Sequence, residues 1–426
     1  MTDQSASRES IERDQLDQLR KLIGELIPSN RFYAPILESA GITPDIESLA
    51  VFTERMPLTT KQQCVDDQLA NPPYGTNLTY DLSKYTRFHQ TSGTTSAPMR
   101  WLDTPESWQW MLQSWKHVYG NAAVKSDDHV YFAFSFGPFL GFWTAFEAAT
   151  ELGCLCIPGG GLSSAARLRA MIDNSATALC CTPTYAIRLG EVAAEEGIDL
   201  SETNVKVIIV AGEPGGSVPA VRCRIEQMWK GARVFDHHGM TEIGPVTYED
   251  PDRPGVLRII ESSYFAEIID PKSGEAVPHG EVGELLLTTL GRVGSPLIRY
   301  RTGDLVKTVP FGEGDRYDPG LDGGILGRAD DMVLVRGVNV YPSAIDSVVR
   351  QFDDVAEYRV RVSESQSMTE LEINVEPIPN CDNSSALAER VSSSLRETLN
   401  LRVPVTPVGV GELPRFEMKA KRWERV

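Results

Sequence analysis

Short apolar runs alternate with segments of helical apolar spacing through the middle of the chain. The apolar runs predict strands at 129–134, 154–158, 178–181, 205–210 and 233–235, and the segments between them predict helices at 139–152, 163–174, 185–196 and 218–229. This alternation predicts a parallel sheet with helices on its faces. Because ligands bind beyond the carboxyl ends of such strands, the turns after Val210 and Phe235 are candidate walls of a site.

The pattern changes beyond about residue 260. Alternating segments at 265–269 and 283–288, bounded by turns that contain Pro and Gly, predict antiparallel hairpins. Strand-like and helical segments after residue 330 predict a small α+β unit. We therefore expect an α/β protein with a large N-terminal domain, residues 1–329, built of parallel sheets flanked by helices plus a β-rich subdomain. A small α+β C-terminal domain, residues 330–426, follows.

Composition and charge exclude several classes of function. The 426 residues carry a net charge of −18, which argues against binding to nucleic acid or to anionic membranes. The apolar stretch 130–149 is interrupted by Ser, Gly, Pro and Glu, and the polar N-terminal segment lacks the apolar core of a secretion signal. The seven cysteines show no Cys-x-x-Cys spacing and predict reduced thiols. We therefore expect a cytoplasmic protein without a membrane partner.

A loop rich in Ser and Thr spans residues 89–101. Five of the six residues from Thr91 to Ser96 are Ser or Thr, and the sixth is Gly93. Closely spaced N–H groups and hydroxyls with little bulk suit a phosphate. Hydrogen bonds from such donors to an anion contribute roughly 1.5–3 kcal/mol each. A nucleotide-phosphate site and a solvated polar turn both explain this composition.

Four further segments carry charged groups at predicted turns. They are Phe-Asp-His-His-Gly-Met-Thr-Glu at 235–242, Tyr-Arg-Thr-Gly-Asp at 300–304, Gly-Arg-Ala-Asp-Asp at 327–331 followed by Arg-Gly-Val-Asn at 336–339, and Pro-Arg-Phe-Glu-Met-Lys-Ala-Lys-Arg at 414–422. A capped turn, a surface ion pair or a solvated basic tail explains each segment singly.

Taken in order, the five segments resemble the motifs of the adenylate-forming superfamily of acyl-CoA synthetases, adenylation domains and luciferases. The resemblance is strongest to the branch of phenylacetate–CoA ligases. The family's Thr-Ser-Gly-Thr-Thr-Gly-x-Pro loop corresponds to 91–98, its aromatic-Gly-x-Thr/Ser-Glu segment to 238–242 and its Arg-Tyr-Arg-Thr-x-Asp-Leu segment to 299–305. Its Gly-Arg-x-Asp-Asp-Met and Arg-Gly-Val-Asn-Val-aromatic-Pro segments correspond to 327–332 and 336–342, and its Lys-Ala-Lys-Arg ending to 419–422.

The resemblance implies an AMP-forming acid–thiol ligase that uses ATP, Mg²⁺ and coenzyme A. In the first implied step a carboxylate, from a small aromatic acid such as phenylacetate, attacks the α-phosphate of ATP and forms an acyl-adenylate and pyrophosphate. In the second, a thiolate displaces AMP. Because both reactants of the first step are anions, catalysis must rest mainly on charge neutralisation and positioning.

The resemblance also implies roles for individual residues. Glu242 would be a catalytic residue and the Mg²⁺ ligand, as a hard oxygen donor near phosphates. Asp304 would accept both ribose hydroxyls, and the loop at 212–215 would border adenine together with His238. The cofactor-binding residues implied in this way are Thr91, Ser92, Gly93, Thr94, Thr95, Gly212, Glu213, Pro214, His238, Gly239, Thr241, Asp304, Asp330, Arg336 and Gly337.

The resemblance implies that the C-terminal domain is mobile. Arg328 would approach the ribose or the phosphates, and Asp330 would be the hinge between two catalytic postures. Lys419 would bridge the substrate carboxylate and the α-phosphate during adenylation, then swing away so that the loop of Arg336 and Gly337 faces the thiol. Lys421 is the alternative catalytic lysine. A basic tail that caps the last strand is a further alternative, favoured by Met418 at the family's usual Gly position.

The histidines and aromatic residues suggest the acyl pocket. His237 and His238 do not predict a shared metal, because adjacent side chains of an extended chain diverge. His238 stands where relatives often have Tyr, which predicts a flat ring against adenine, while His237 points either into the acyl pocket or into the core. The candidate pocket lining is Phe134, Phe136 and Phe139, with Phe142 and Trp143 beside them, and aromatic core packing is the alternative.

Two residues depart from the family's phosphate loop. Ser96 replaces a Gly, at a cost on the order of 1 kcal/mol if the position needs a positive φ, and Ala97 replaces a common Lys or Arg. We expect weaker ATP binding. Two other functions remain open: adenylation followed by transfer to an amine or a carrier protein, and a catalytically degenerate nucleotide-binding homologue. The family is also compatible with a homodimer.

Overall fold

The computed structural model of the protein describes residues 7–91, 98–309, 320–335, 338–365, 368–416 and 420–425. Four helices come first: Arg8–Leu26 (α1), Ala34–Ser39 (α2), Leu49–Arg55 (α3) and Lys61–Ala70 (α4). The Ser7 hydroxyl caps α1, and Thr60 and Gln63 form a capping box at the start of α4. The apolar face of α1 is buried in a cluster that includes Ile298, which fastens the N-terminal helices to the β-rich part.

The central layer is a five-stranded parallel sheet. It follows the hairpin Arg87–Gln90 (β1) and Arg100–Asp103 (β2) and the helix Pro105–Asn121 (α5). Its strands are His129–Phe132 (β3), Leu155–Pro158 (β4), Ala178–Cys181 (β5), Val207–Val210 (β6) and Arg233–Asp236 (β7), in the order β4-β3-β5-β6-β7. Its helices are Trp143–Leu152 (α6), Ser164–Asp173 (α7), Pro183–Glu196 (α8) and Pro219–Met228 (α9).

Alternate residues of these strands enter two different hydrophobic clusters. Cys180 lies in one cluster and Cys181 in the other, on opposite faces of the sheet. The predicted alternation of strands and helices is therefore confirmed. Most of their boundaries agree within two residues. The largest difference is at α6, which is predicted from residue 139 but begins only at Trp143, after Gly141 with a φ of 43°.

The β-rich part contains antiparallel strands. They are Gly239–Met240 (β8), Gly244–Pro245 (β9), Thr247–Glu249 (β10), Val256–Ile259 (β11), Tyr264–Ile269 (β12), Val282–Thr289 (β13), Tyr300–Lys307 (β14), Gly320–Asp322 (β15) and Gly327–Arg328 (β16). They pair as β8-β9, β10-β11-β15 and β12-β13-β14-β16. The last of these sheets places Asp304 opposite Arg328.

The C-terminal domain has a four-stranded sheet and its own hydrophobic core. Its elements are Val333–Val335 (β17), Val338–Val340 (β18), Pro342–Val349 (α10), Val355–Ser365 (β19), Met368–Pro377 (β20), Ser384–Leu399 (α11), Val405–Pro407 (β21) and Trp423–Arg425 (β22). Strand β22 pairs in parallel with β19, so the residues that directly follow the Lys-Ala-Lys-Arg segment are part of the sheet.

Two features agree with the composition. All seven cysteines are free thiols; Cys64, Cys154, Cys180 and Cys181 are buried, whereas Cys223 is exposed. In the described part of the chain, no helix has the length and apolar character needed to cross a membrane.

Candidate active site

A cleft of about 690 Å³ opens beyond the carboxyl ends of β6 and β7, and both domains line it. The two turns predicted as site walls both lie on it. From the large domain the lining includes Gly212, Glu213, Pro214, His237, His238, Gly239, Asp304 and Arg328, and from the small domain it includes Asp346, Ala420, Lys421 and Arg422.

The loop after β6 is held against the start of α8. Gly212 has a φ of 93°, and Gly215 has a φ of 153° with no room for a Cβ, which would lie 2.7 Å from Cβ of Pro183. One carboxylate oxygen of Glu213 accepts the N–H of Thr184, 2.9 Å away, in the first turn of α8. The loop is therefore a fixed wall of the cleft.

His238 and Asp304 face each other on this wall. Nε2 of His238 lies 3.1 Å from Oδ2 of Asp304. The contact lacks hydrogen-bond geometry, so within the described residues both buried atoms are without a hydrogen-bond partner. Since buried polar atoms are normally hydrogen-bonded, the pair retains bonding capacity for a polar ligand in the cleft.

His237 points away from its neighbour, as expected for adjacent residues. Nδ1 lies 2.6 Å from the carbonyl oxygen of Thr247, so this nitrogen carries the proton. The ring is tilted against Trp115 at 4.4 Å between centroids. Burial lowers the pKa of His237 to about 3, and the side chain therefore stays neutral between the cleft and the core.

Glu242 is a buried carboxylate behind the cleft. The Tyr300 hydroxyl donates to its Oε1 at 3.3 Å, and among the described residues no cation pairs with it. Such an uncompensated carboxylate suits Mg²⁺, which uses one or two protein carboxylates beside substrate phosphates. The preceding residue, Thr241, is fixed because its carbonyl oxygen accepts a hydrogen bond from Arg292 at 3.0 Å.

Arg292 and Asp103 form an ion pair that is completely buried. Nε and Nη2 of Arg292 each donate to one oxygen of Asp103 at 2.7 Å. His89 lies 4.0 Å from the same carboxylate and stacks on Trp108. Burial lowers the pKa of His89 to about 4. The pair thus anchors the segment that carries Glu242 to the hairpin that carries the Ser/Thr loop.

Arg328 connects Asp304 with the predicted hinge. It donates to Oδ1 of Asp304 at 3.2 Å and to both oxygens of Asp330 at 2.9 and 3.3 Å. Burial opposes ionisation of Asp330, but the hydrogen bond and charge of Arg328 outweigh it and lower the pKa. Asp330 thus forms an ion pair at the junction of the two domains.

The small-domain wall is the segment that follows Lys419. Ala420 and Lys421 line the cleft, and Lys421 is exposed. Arg422 donates to both oxygens of Glu357 at 2.7 and 3.1 Å, which ties the segment to β19. The predicted residues Ser92, Gly93, Thr94, Thr95, Arg336, Gly337 and Lys419 lie outside the described residues.

The aromatic run forms one continuous cluster. Phe134 contacts Phe136 at 4.8 Å and Phe142 at 4.7 Å between ring centroids. Phe142 contacts Trp115, which contacts His237 at the cleft. Phe134, Phe136 and Phe139 are partly buried and do not line the cleft itself. Thr91, Thr241, Glu242 and Asp330 do not line the cleft either. Glu242 is buried and Asp330 is exposed, and the Thr91 hydroxyl accepts the N–H of Met99 at 3.1 Å.

Sequence reasoning missed Asp236. It lines the cleft, and its carboxylate accepts the Ser217 hydroxyl at 2.5 Å. Burial, together with the nearby Glu249 carboxylate, raises the pKa of Asp236 to about 6. Its place at the carboxyl end of β7 was a signal in the sequence, whereas Ser217 and Glu249 are brought to it only by folding.

Comparisons with known proteins agree with this geometry. The model of the AMP-binding enzyme family matches residues 88–291, and that of the AMP-binding enzyme C-terminal domain matches residues 337–424. A phenylacetate-coenzyme A ligase from Pseudomonas putida is 29% identical over 433 aligned residues, covering 98% of this chain and 94% of the relative.

Solved structures also reveal the domain arrangement. A 2-hydroxyisobutyryl-CoA ligase in the postadenylation state, in complex with 2-HIB-AMP, superposes with a TM-score of 0.92 at 28% identity, covering 99% of this chain and 90% of that one. The same relative in the thioesterification state superposes with a TM-score of only 0.73 at 29% identity, covering 99% and 91%. The two domains are therefore arranged as in the postadenylation state.

The two matched family models and the two-domain cleft place the chain in the adenylate-forming AMP-binding enzyme family. Its relatives over nearly the full chain are acid–CoA ligases, and within the family the chain is an acid–thiol ligase similar to the phenylacetate–CoA ligases.

Proposed function

We propose that this enzyme joins a small aromatic carboxylic acid to coenzyme A through an acyl-adenylate. The observation that carries the proposal is the unsatisfied pair of His238 and Asp304 on a cleft that the C-terminal segment closes. A ribose offers two adjacent hydroxyls and adenine offers a flat ring. A carboxylate and an imidazole side by side can bind both.

In the proposed first step, a carboxylate oxygen of the acid bonds to the α-phosphorus of ATP. The bond from that phosphorus to the bridging oxygen breaks, and pyrophosphate leaves. Lys419 would neutralise the developing charge, Thr91–Thr95 would hold the terminal phosphates, and Asp304 would hold the ribose. A Mg²⁺ ion at Glu242, when bound, would supply further charge neutralisation.

In the proposed second step, the thiolate of coenzyme A bonds to the acyl carbon. The bond from that carbon to the phosphate oxygen breaks, and AMP leaves with the electron pair. The salt-bridged Arg328 and Asp330 lie at the junction about which the small domain would turn. Such a turn would bring Arg336 and Gly337 towards the thiol. We place the domain boundary at 329/330 and keep the homodimer and the cytoplasmic location as predictions.

Aromatic contacts support the proposed class of acid. An unbroken series of ring contacts leads from His237 at the cleft through Trp115 and Phe142 to Phe134. Of these rings His237 lines the cleft, and a planar ring placed beside it would extend the series by stacking or edge-to-face contacts. The Pseudomonas putida relative is named for phenylacetate, and the solved relative for 2-hydroxyisobutyrate.

The test is a screen for pyrophosphate release over a panel of acids, with and without coenzyme A. We expect release and thioester formation with phenylacetate or benzoate to exceed those with 2-hydroxyisobutyrate or octanoate. Preference for an aliphatic acid would contradict the substrate class. Release without any thioester would favour transfer to an amine or a carrier protein, and absence of release with every acid would favour a degenerate homologue.

A further inference from the structure

One side chain joins the loop after β6 to the C-terminal segment. Glu213 accepts the N–H of Thr184 on one carboxylate oxygen, at 2.9 Å, and the N–H of Ala420 on the other, at 3.0 Å. Ala420 directly follows Lys419, so this N–H belongs to the peptide bond between them. We propose that Glu213 is a positioning residue that holds the lysine-bearing segment in the adenylation posture. This inference rests on the proposed two-step function.

The chemistry of the contact requires a carboxylate. The N–H groups in the first turn of a helix have no partner within the helix, and Thr184 is such a residue of α8. A negative charge is also favoured at that end of a helix. Two N–H donors that converge on one side chain need two acceptor oxygens, which Glu has. Gln has one oxygen, and its amide group would face the second donor.

Glu213 is fixed in the large domain, while its second partner belongs to the small domain. The glycines on either side of it, Gly212 and Gly215, hold the loop in backbone conformations that favour glycine. Ala420 lies two residues before Arg422, which is hydrogen-bonded to Glu357 of the small-domain sheet. The hydrogen bond therefore connects two rigid parts across the cleft.

This contact belongs to one of the two postures. The overall arrangement matches the postadenylation state of the solved relative with a TM-score of 0.92, against 0.73 for its thioesterification state. Besides the pair of Arg328 and Asp330, two other described side-chain hydrogen bonds join the two domains, from Arg224 to the carbonyl oxygen of Val355 at 3.0 Å and from Ser343 to the carbonyl oxygen of Leu326. Turning the small domain must separate Glu213 from Ala420. The hydrogen bond between Glu213 and Ala420 thus contributes to the first step of the reaction and not to the second.

The experiment measures the two half-reactions separately in Glu213→Gln. Pyrophosphate release should fall about tenfold, the worth of one hydrogen bond to a charged acceptor. Thioester formation from supplied acyl-adenylate and coenzyme A should stay within about twofold of the unaltered enzyme. Thr182→Ala is the matched control, because Thr182 caps the same helix through Tyr185 without touching Ala420. It should lower the melting temperature without separating the two half-reactions.

A second measurement does not depend on activity. Spin labels at Lys230→Cys and Glu389→Cys, exposed positions of the large and the small domain, report the interdomain distance in a background of Cys223→Ser and Cys381→Ser. Glu213→Gln should broaden the distance distribution, and Thr182→Ala should not.

The outcomes separate this inference from the proposed function. Equal loss of both half-reactions would overturn the positioning role of Glu213, because that result would mean that Glu213 contacts the nucleotide in both steps. Unchanged pyrophosphate release with an unchanged distance distribution would also overturn it. Absence of pyrophosphate release by the unaltered enzyme with every acid would contradict the proposed function. A broadened distance distribution in Glu213→Gln would, in that case, still support the role of Glu213 in holding the two domains together.

Discussion

The two walls of the cleft are held in different ways. The large-domain wall rests on buried, multiply bonded groups such as the ion pair of Asp103 and Arg292, both without exposed surface. Apart from the ion pair of Arg328 and Asp330 at the junction, the small-domain wall meets the large-domain wall through single hydrogen bonds to backbone atoms, at Ala420, Val355 and Leu326. This difference indicates which groups keep the same contacts throughout the reaction and which groups change their contacts between the two steps.

Energies of the two kinds of contact support this division. Removing one partner of a buried ion pair costs about 3–5 kcal/mol, because an uncompensated charge remains. A single hydrogen bond contributes about 0.5–1.5 kcal/mol, or up to about 3 kcal/mol with a charged partner. Contacts of the second kind can break and re-form within a catalytic cycle, whereas contacts of the first kind cannot.

The largest expected effect is on the movable wall. Lys419→Ala should lower pyrophosphate release by about 100-fold to 1,000-fold, because the variant loses a cation that neutralises the transition state. It should still convert supplied acyl-adenylate and coenzyme A to thioester. Lys421→Ala is the matched control and should change either rate by less than about threefold. Equal loss of both half-reactions in Lys419→Ala would contradict two postures, and a larger effect of Lys421→Ala would exchange the roles of the two lysines.

The next effect concerns the fixed wall. Arg292→Met should lower the free energy of unfolding by about 3–5 kcal/mol, because Asp103 stays buried without its cation. The control is Arg390→Met, whose partner Asp354 is exposed; it should change stability by about 1 kcal/mol or less. Urea unfolding at pH 7.5 gives both values. Similar small changes in the two variants would show that the fixed wall does not depend on this pair.

A pH dependence follows from His237 on the fixed wall. Its pKa is about 3 in the folded protein, from a usual 6.5, so the unfolded chain binds a proton first as the pH falls. The stability contribution is therefore fully present above pH 6.5 and is lost towards pH 3. Between pH 7.5 and 5 the loss amounts to about 2 kcal/mol.

His237→Asn, which keeps a donor for Thr247, should lose less stability over that interval in urea unfolding. His89 contributes in the same direction, and Asp236, with a raised pKa of about 6, in the opposite one. Both are common to the two proteins, so they largely cancel in the comparison. An identical pH profile for the variant would show that His237 does not titrate as its burial requires.

The smallest effect concerns the Ser/Thr loop. Ser96→Gly combined with Ala97→Lys should lower the KM for ATP about threefold to tenfold, because it relieves a backbone cost and adds a cation near the terminal phosphates. Steady-state pyrophosphate release at varied ATP gives the value. Thioester formation from supplied acyl-adenylate, which needs no terminal phosphate, is the control and should not change. An unchanged or higher KM would refute a weakened phosphate loop.

Much of the fold could be predicted because local pattern and tertiary packing agree. The run that became β6 is apolar at nearly every position, as a strand covered on both faces must be. The helix predicted from residue 139 began late because positive φ at Gly141 interrupts it, which apolar spacing does not report. The resemblance assigned Asp304 and His238 each to the nucleotide, but their mutual contact was not predicted, because it forms only when two turns that are distant in the sequence meet.

The sequence alone determined the α/β architecture, the family and the candidate chemistry of the ordered motifs, since strand and helix periods and short motifs are local properties of the chain. Only the tertiary structure decided how the groups meet: Asp103 lies 189 positions from the arginine that anchors Glu242's segment, and Glu213 lies 207 from Ala420. Such pairings depend on the packing of separate elements and on the posture of two domains. No local pattern encodes them, because the free energy that selects them arises only when the buried surfaces come together.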